Sequence, residues 1–569
     1  MNKWALFMER LIRKLKRGHF FMFQKRCKKL FALFLVFFVV LTIGLFYFQI
    51  IAGESLSKSA SAQRITDLEI EKPRGDIVDR NLIPLTYRNK KVSIVLKPLY
   101  LRENKEGLRK VCEILGLDFN SVEKQVETRR EPIIFETDEE KKDLIMGLNI
   151  YGLSSINSLK RYDKRSVAKH ILGYVNKVDQ VGETGIEKFY EDVLKFDKEN
   201  AVGVITDARN NLLQGLGYRM FTRDSSNKRL NIKLTIDYHI QRIAEDVMDR
   251  NGITGAVVIE DVYSGDIVAI VSKPDFEQDH VEKYLQSPQK ELFNRAVAAY
   301  NLGSIFKIIV AAILFETKED PEEEFFCPGY IRVGNNEFRC TSYAEGGHGL
   351  INLTQAFAKS CNPYFINEGI KIGYRNLLNK AKDFGLGSVT GVKEQGIMES
   401  AGNLPDVNGY HSKGDIANIS IGQGDIMATP LQVADLVATV ANGGIKNRVN
   451  IVDSVVDDDG NKVRDLRFKE GTRVISKEVS EKIKQLMEEV TATGTGTEAN
   501  LDRYGGAGGK TGSAETGNKD VVHAWFAGYF SKLSPRYSMA VFVENGQYGG
   551  KVAAPIFAEI AREILRKGY

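Results

Sequence analysis

Between Leu30 and Ala52 the chain reads "LFALFLVFFVVLTIGLFYFQIIA", 23 residues without a charge. As a helix this run would measure about 35 Å, enough to cross a bilayer with some tilt. Its flanks then decide which side each part occupies. Residues 1 to 29 carry ten Lys or Arg against a single Glu9, a local charge of +9 within an overall +5. So dense a positive flank stays in the cytoplasm, which places everything after residue 53 outside. A cleaved signal peptide is the competing reading, and "SASA" at 59 to 62 has the small residues of a cleavage site. The apolar run is too long for a signal core, and Glu54 and Lys58 intervene before that site, so an uncleaved anchor is expected.

Without its first 29 residues the chain carries about −4, which argues against a nucleic-acid-binding body. At 569 residues, 43% hydrophobic and 27% charged, it is globular material for two or three domains. Five cysteines do not make a disulfide scaffold. Cys327 and Cys340 frame "CPGYIRVGNNEFRC", which reads as a hairpin with Asn-Asn at its middle, and either a disulfide or two buried thiols would fit. Cys112 and Cys361 have no evident partner. The seven histidines show no His-x-x-x-His spacing and the cysteines no Cys-x-x-Cys, so neither metal nor cofactor is expected.

The sequence divides at about residue 225. Residues 53–225 are charged and mixed, with strand-like "KVSIVLKPLY" and helical "EGLRKVCEILGL". Residues 226–569 hold Val- and Ile-rich strands, among them "GAVVIEDVYSGDIVAIV", a hairpin turning at Ser264-Gly265, and the late strands "AWFAGYF" and "YSMAVFVENG". Apolar helices lie between the early and late strands, which argues an α+β domain whose sheet unites both ends of the segment.

Chemistry concentrates in that second region. In "YNLGSIFKIIVAAILFE" every side of the helix is apolar except at Lys307, so the helix is buried and the lysine enclosed. Burial lowers the pKa of an amine toward the range of a useful base. Ser304 stands three residues earlier, on the same face, as the matching nucleophile. In "FAKSCNPYF" Pro363 pushes Asn362 out of helical geometry, so Ser360 and Asn362 are expected to project from a loop. "YGGAGGKTGSAETG", residues 504–517, looks at first like a phosphate-cradling loop. The spacing fails, because the position five before Gly509 is Tyr504. Lys510, Thr511, Gly512 and Ser513 suit an extended strand, with the hydroxyls of 511 and 513 on one face.

Ser304-x-x-Lys307, Ser360-x-Asn362 and Lys510-Thr511-Gly512, in that order, are together highly specific. The chain resembles a class B penicillin-binding protein, a monofunctional peptidoglycan D,D-transpeptidase, from its anchor to its C-terminus. "RGDIVDRNLIPL" (74–85), "HILGYVN" (170–176) and "GETGIEKFYEDVL" (182–194) look like the membrane-proximal pedestal module. "IGQGDIMATPLQVA" (421–434) and "WFAGYF" (525–530) look like transpeptidase signatures. In the first of these, Thr429, Pro430 and Gln432 also read as a capping box that starts a helix.

The resemblance implies a serine β-lactamase/transpeptidase-like fold, an antiparallel sheet flanked by helices at 226–569, behind a mixed α/β pedestal at 53–225 and a membrane helix at 30–52. It implies that Ser304 attacks a stem-peptide carbonyl, Lys307 takes its proton, Ser360, near Lys510, relays a proton to the leaving D-alanine, Asn362 holds the donor amide, and Lys510 supplies positive potential for the terminal carboxylate. Thr511, Gly512 and Ser513 would bind the terminal carboxylate end of the substrate. The implied partners are peptidoglycan stem peptides, β-lactam antibiotics and a SEDS-type glycosyltransferase in the bacterial cell membrane. The sequence departs from the family pattern in having "YNLG" where Pro-Gly often precedes the nucleophile, and Cys361 fills the middle of the second motif, where an inert small residue is expected. A β-lactamase would need a deacylating base that "ESAGN" at 399–403 does not supply. A bifunctional synthase would need a glycosyltransferase domain, for which some 170 residues with pedestal motifs leave no room. A β-lactam sensor or non-catalytic scaffold is the remaining alternative, and a sensor would be expected to carry a cytoplasmic signalling module.

Overall fold

The computed structural model describes residues 8, 29–51, 68–71, 74–195, 200–204, 218–222, 229–318, 320–409, 411–516 and 521–569. Most of the basic segment and the "SASA" stretch lie outside the described residues. Lys29–Ile50 forms one helix long and apolar enough to cross a membrane, with its side chains uncovered by the rest of the chain.

The chain forms two compact units. The first comprises Met1–Ile70, Val92–Ile156 and Asn200–Arg223. It contains most of a three-stranded sheet in which Asn89–Leu96 lies between Ile133–Thr137 and Leu153–Lys160. Ile94 and Leu96, two residues apart, turn the same way and meet Leu108, Val111, Val122, Val126 and Ile145 from three helices. Those helices start where the sequence provides caps. The side chains of Asn104, Asp118 and Asp138 each accept a backbone N–H of the first turn, and Gly116 ends the first helix in the left-handed conformation.

The second unit comprises Glu71–Lys91, Asn157–Glu199 and Asp224–Tyr569. Its centre is a five-stranded sheet of β1 (Gly255–Asp261), β2 (Asp266–Lys273), β3 (Ala507–Glu515), β4 (Val522–Phe530) and β5 (Tyr537–Val543), in the order β2-β1-β5-β4-β3. All neighbours are antiparallel. The early hairpin therefore joins the late strands through β1 and β5, as the sequence pattern requires. Seven helices matter to the site: α1 (Tyr238–Arg250), α2 (Lys307–Thr317), α3 (Leu353–Ala358), α4 (Asn362–Ile372), α5 (Pro430–Ala441), α6 (Lys477–Ala492) and α7 (Ala553–Lys567).

Both faces of the sheet are covered, which is why its strands read as continuous apolar runs rather than alternating ones. Val257, Ile259, Phe526, Met539 and Val541 turn toward α1 and α7. Val258, Trp525, Ala527, Ala540 and Phe542 turn to the opposite side, where α2, α5 and α6 form the larger core. Alternate residues of each strand thus serve different cores. The expected capping box is present: Thr429 Oγ1 accepts the N–H of Gln432, and the Gln432 side chain accepts the N–H of Thr429. Residues 77–78 pair in parallel with Leu230–Leu234 in a separate four-stranded sheet, so part of the "RGDIVDRNLIPL" stretch folds with the second unit.

Candidate active site

Ser304 lies in a short 3₁₀ turn, Gly303–Phe306, that runs directly into α2 at Lys307. With three residues per turn, positions three apart eclipse each other, so Ser304 and Lys307 share a face more closely than in an α-helix. Lys307 is fully buried, whereas Ser304 is half-buried. Lys307 Nζ donates to Ser360 O at 2.8 Å, Ser360 Oγ at 3.2 Å and Asn362 Oδ1 at 2.8 Å. Lys510, also fully buried on β3, donates to the same Ser360 Oγ at 3.0 Å and to Thr511 O at 3.2 Å. The hydroxyl of Ser360 therefore sits between two amines, one from α2 and one from β3.

Local backbone explains how Ser360 reaches that place. The segment between α3 and α4 is short, and Ser360 adopts φ 54°, a left-handed conformation that costs a non-glycine residue about 1–2 kcal/mol. In return both its carbonyl and its hydroxyl meet Lys307. Asn362 differs from the expected loop position, being the first residue of α4. Proline in the first turn of a helix gives up no hydrogen bond, so Pro363 starts this helix instead of excluding Asn362 from it. The Asn362 side chain is fixed at both ends, since its Nδ2 donates to Arg339 O at 3.0 Å.

Burial pushes the Lys307 amine down to about 8. Lys510 falls well below the ordinary lysine range through burial, reinforced by the charge of Lys307. Phe365 and Phe357 line the two amines at 5.3 and 5.5 Å, supplying apolar walls with a cation-tolerant face.

The first and third motifs meet through glycine. Gly303 has φ 55°, and a Cβ there would stand 2.7 Å from Ser513 O and 3.3 Å from Ser513 N. The backbone of Ser513 therefore lies against the turn that carries Ser304. Gly512 is equally close-packed, with Leu302 O 2.9 Å from the position a Cβ would take. Thr511 Oγ1 pairs with Thr495 Oγ1 at 2.6 Å, and Ser513 Oγ accepts the Gly549 N–H at 3.4 Å. Thr495 and Gly549 belong to no motif in the sequence; only the fold brings them to β3.

The hairpin exists, Tyr330–Val333 pairing with Asn336–Arg339, but its turn centres on Gly334-Asn335. Cys327, Cys340 and Cys361 are all free and buried, which decides between the two readings in favour of thiols. Cys361 is not isolated: its sulfur lies within 4.8 Å of those of Cys327 and Cys340 and of a ring nitrogen of His348. No linear spacing discloses this cluster, because its members come from separate segments.

A serine-bearing turn that runs into a buried lysine, a second serine shared with a strand lysine and a closely approaching strand backbone are the arrangement of a serine acyltransferase of the penicillin-recognising kind. Residues 255–562 match the penicillin binding protein transpeptidase domain and residues 69–219 the penicillin-binding protein dimerisation domain. Stage V sporulation protein D of Bacillus subtilis is 30% identical over 561 residues, spanning 93% of this chain and 84% of that protein. The peptidoglycan D,D-transpeptidase MrdA of Haemophilus influenzae is 26% identical over 591 residues, 92% of this chain and 88% of that protein. In fold, the penicillin-binding protein PBP2 from Helicobacter pylori matches with a TM-score of 0.67 over 88% of this chain and 99% of its own, at 23% identity. The chain belongs to the class B penicillin-binding proteins.

Proposed function

We propose that this enzyme is a serine-type peptidoglycan D,D-transpeptidase whose acyl group is carried by Ser304. The observation that carries the reading is the convergence of Lys307 and Lys510 on Ser360 Oγ, at 3.2 and 3.0 Å, beside the Ser304 turn. Neutral Lys307 accepts the Ser304 proton as Oγ attacks the carbonyl of the penultimate D-alanine. In this structure the Lys307 amine is held by Ser360 and Asn362, and it turns toward Ser304 as substrate binds. The N–H groups of Ser304 and Ser513 face the developing oxyanion. As the peptide bond breaks, Lys307 returns its proton through Ser360 to the departing D-alanine nitrogen, leaving an ester on Ser304. Thr511 and Ser513 hydroxyls hold the terminal carboxylate, with Lys510 behind them. An amine from a neighbouring stem attacks the ester, gives up a proton to the same relay and frees Ser304. The donor lies along β3 as an added strand, with Asn362 on its amide.

A β-lactam presents the same carbonyl and carboxylate in a ring whose leaving nitrogen stays tethered, so the ester persists. Incubation with benzylpenicillin is expected to add one drug mass to the intact protein. Proteolysis should place it on the peptide Ala296–Lys307, in which Ser304 is the serine. An adduct on another peptide, or drug consumed without any adduct, would overturn the assignment; the second result would indicate a hydrolase.

Cross-linking acts on glycan strands that a SEDS-type glycosyltransferase polymerises in the same membrane. The anchor crosses the bilayer with the basic flank in the cytoplasm and the catalytic domain outside, supported by the charge asymmetry around Leu30–Ala52. Its contacts with the polymerase fall on the anchor and the pedestal. Exchanging Leu30–Ala52 for an unrelated membrane helix is expected to reduce co-purification of the polymerase, and undiminished recovery would sink that placement.

A further inference from the structure

We propose that Cys327, Cys340, His348 and Cys361 form a tetrahedral zinc site that pins the loop carrying Ser360 and Asn362. The ligand atoms of these four residues all lie within 4.8 Å of one another, and Cys340 Sγ stands 3.5 Å from His348 Nδ1. A zinc ion with sulfur at about 2.3 Å and nitrogen at about 2.0 Å holds its ligands roughly 3.5–3.8 Å apart, so a small inward adjustment completes the shell. Three thiolates and one imidazole are a closed structural set, with no position left for water or substrate.

The surroundings are built to keep these groups together. Cys327 ends the strand Phe325–Cys327, whose partner strand Gly349–Ile351 begins immediately after His348. Gly347, at φ 98°, lets the loop backbone pass so near the Cys327 carbonyl that a Cβ would collide with it. Cys340 follows the hairpin strand Asn336–Arg339, and its N–H donates to Gly329 O at 2.8 Å. Cys361 is the N-cap residue of α4. All three cysteines are buried, while His348 is half-buried and opens the site to an entering ion.

The position gives the ion its task. Cys361 lies between Ser360 and Asn362, the two residues that hold Lys307 at 2.8 Å through a carbonyl and a side-chain amide. Arg339, whose carbonyl holds the other end of the Asn362 amide, precedes Cys340. One ion therefore ties both sides of the Asn362 clamp to a common point. With three thiolates it carries a net negative charge, suited to a site with two buried amines. Binding releases the thiol protons to solvent and changes no oxidation state. The cysteines and His348 are positioning residues; none touches the reacting atoms.

The full-length protein, purified in detergent without added metal, is expected to hold one equivalent of zinc that survives dialysis against EDTA. Exchange with cobalt(II) should give the visible ligand-field and thiolate charge-transfer bands of a tetrahedral sulfur-rich centre. His348→Ala and Cys327→Ser should lose both signals, whereas Cys112→Ser, outside the cluster, should keep them. Stripping the metal with a thiol-directed mercurial followed by excess dithiothreitol should slow benzylpenicillin acylation at least tenfold in protein that remains folded by circular dichroism, and one equivalent of zinc should restore it. These metal readouts do not depend on Ser304 being the nucleophile, so the two assignments fail separately. Protein without zinc that yields no cobalt bands, or thiol titration showing two of the three cysteines joined as a disulfide, would overturn the metal site. Undiminished acylation by the stripped protein would overturn the positioning role.

Discussion

Lys307→Met is expected to slow acylation by benzylpenicillin by about 10²–10⁴-fold, the range associated with loss of a positioned general base. Methionine keeps the length and apolar body of the side chain, so packing against Phe365 is largely preserved and the loss reports the amine. The pH dependence separates this from a mere disturbance of the loop. With burial holding Lys307 near 8, the amine is mostly protonated at pH 6 and mostly neutral at pH 9. Only the neutral form accepts a proton, so the wild-type acylation rate should rise with pH and level off above about 8. In Lys307→Met that rise should vanish and leave a flat, slow profile. A retained inflection near 8 would assign the base to another group. Stopped-flow acylation with a chromogenic β-lactam across this range makes the measurement.

Gly303→Ala carries the second large effect. The position combines a left-handed backbone, φ 55°, with a methyl group that would stand 2.7 Å from Ser513 O. The conformational part costs about 1–2 kcal/mol, and forcing the turn away from β3 adds about 1–3 kcal/mol more. Because the displaced atoms are the backbone of Ser304 and Ser513, the proposed oxyanion donors would separate; loss of one such donor costs roughly 10²–10³-fold. Gly252→Ala is the control. Gly252 has φ 60° with nothing within 4 Å of an added Cβ, so it should lose stability through conformation alone and acylate normally. Thermal melts and acylation rates of the two variants test this. Equal acylation would show that the Gly303–Ser513 approach is incidental.

What the sequence disclosed, and what it withheld, follows from the range of each interaction. The β1–β2 hairpin, the apolar late strands and the all-apolar helix around Lys307 are local patterns, and each is where periodicity and turn chemistry put it. Lys510 on a strand was legible because the residues after it suit no helix N-terminus. Asn362 was misplaced by a local rule applied in the wrong direction, since proline that excludes a residue from one helix also starts the next. Thr495 and Gly549 reach the site from outside the three motifs, and nothing in their neighbourhoods marks them. The thiol cluster was hidden for the same reason: Cys327, Cys340, His348 and Cys361 are too widely and irregularly spaced to read as a ligand set.

The place of β3 at the end of the sheet, after β4, has a bearing on selectivity. A ligand that extends the sheet there is gripped by amide and carbonyl groups, which every peptide possesses whatever its side chains. Discrimination must then come from stereochemistry and from the free terminus: a D-configured residue presents its carboxylate where an L-configured one presents a methyl group. Such a surface would tolerate chemical variation along the stem yet reject ordinary proteins, whose L-residues would run past it without the right end. For inhibitor design the lesson is to imitate the handedness and the terminal charge first, and to spend decoration elsewhere.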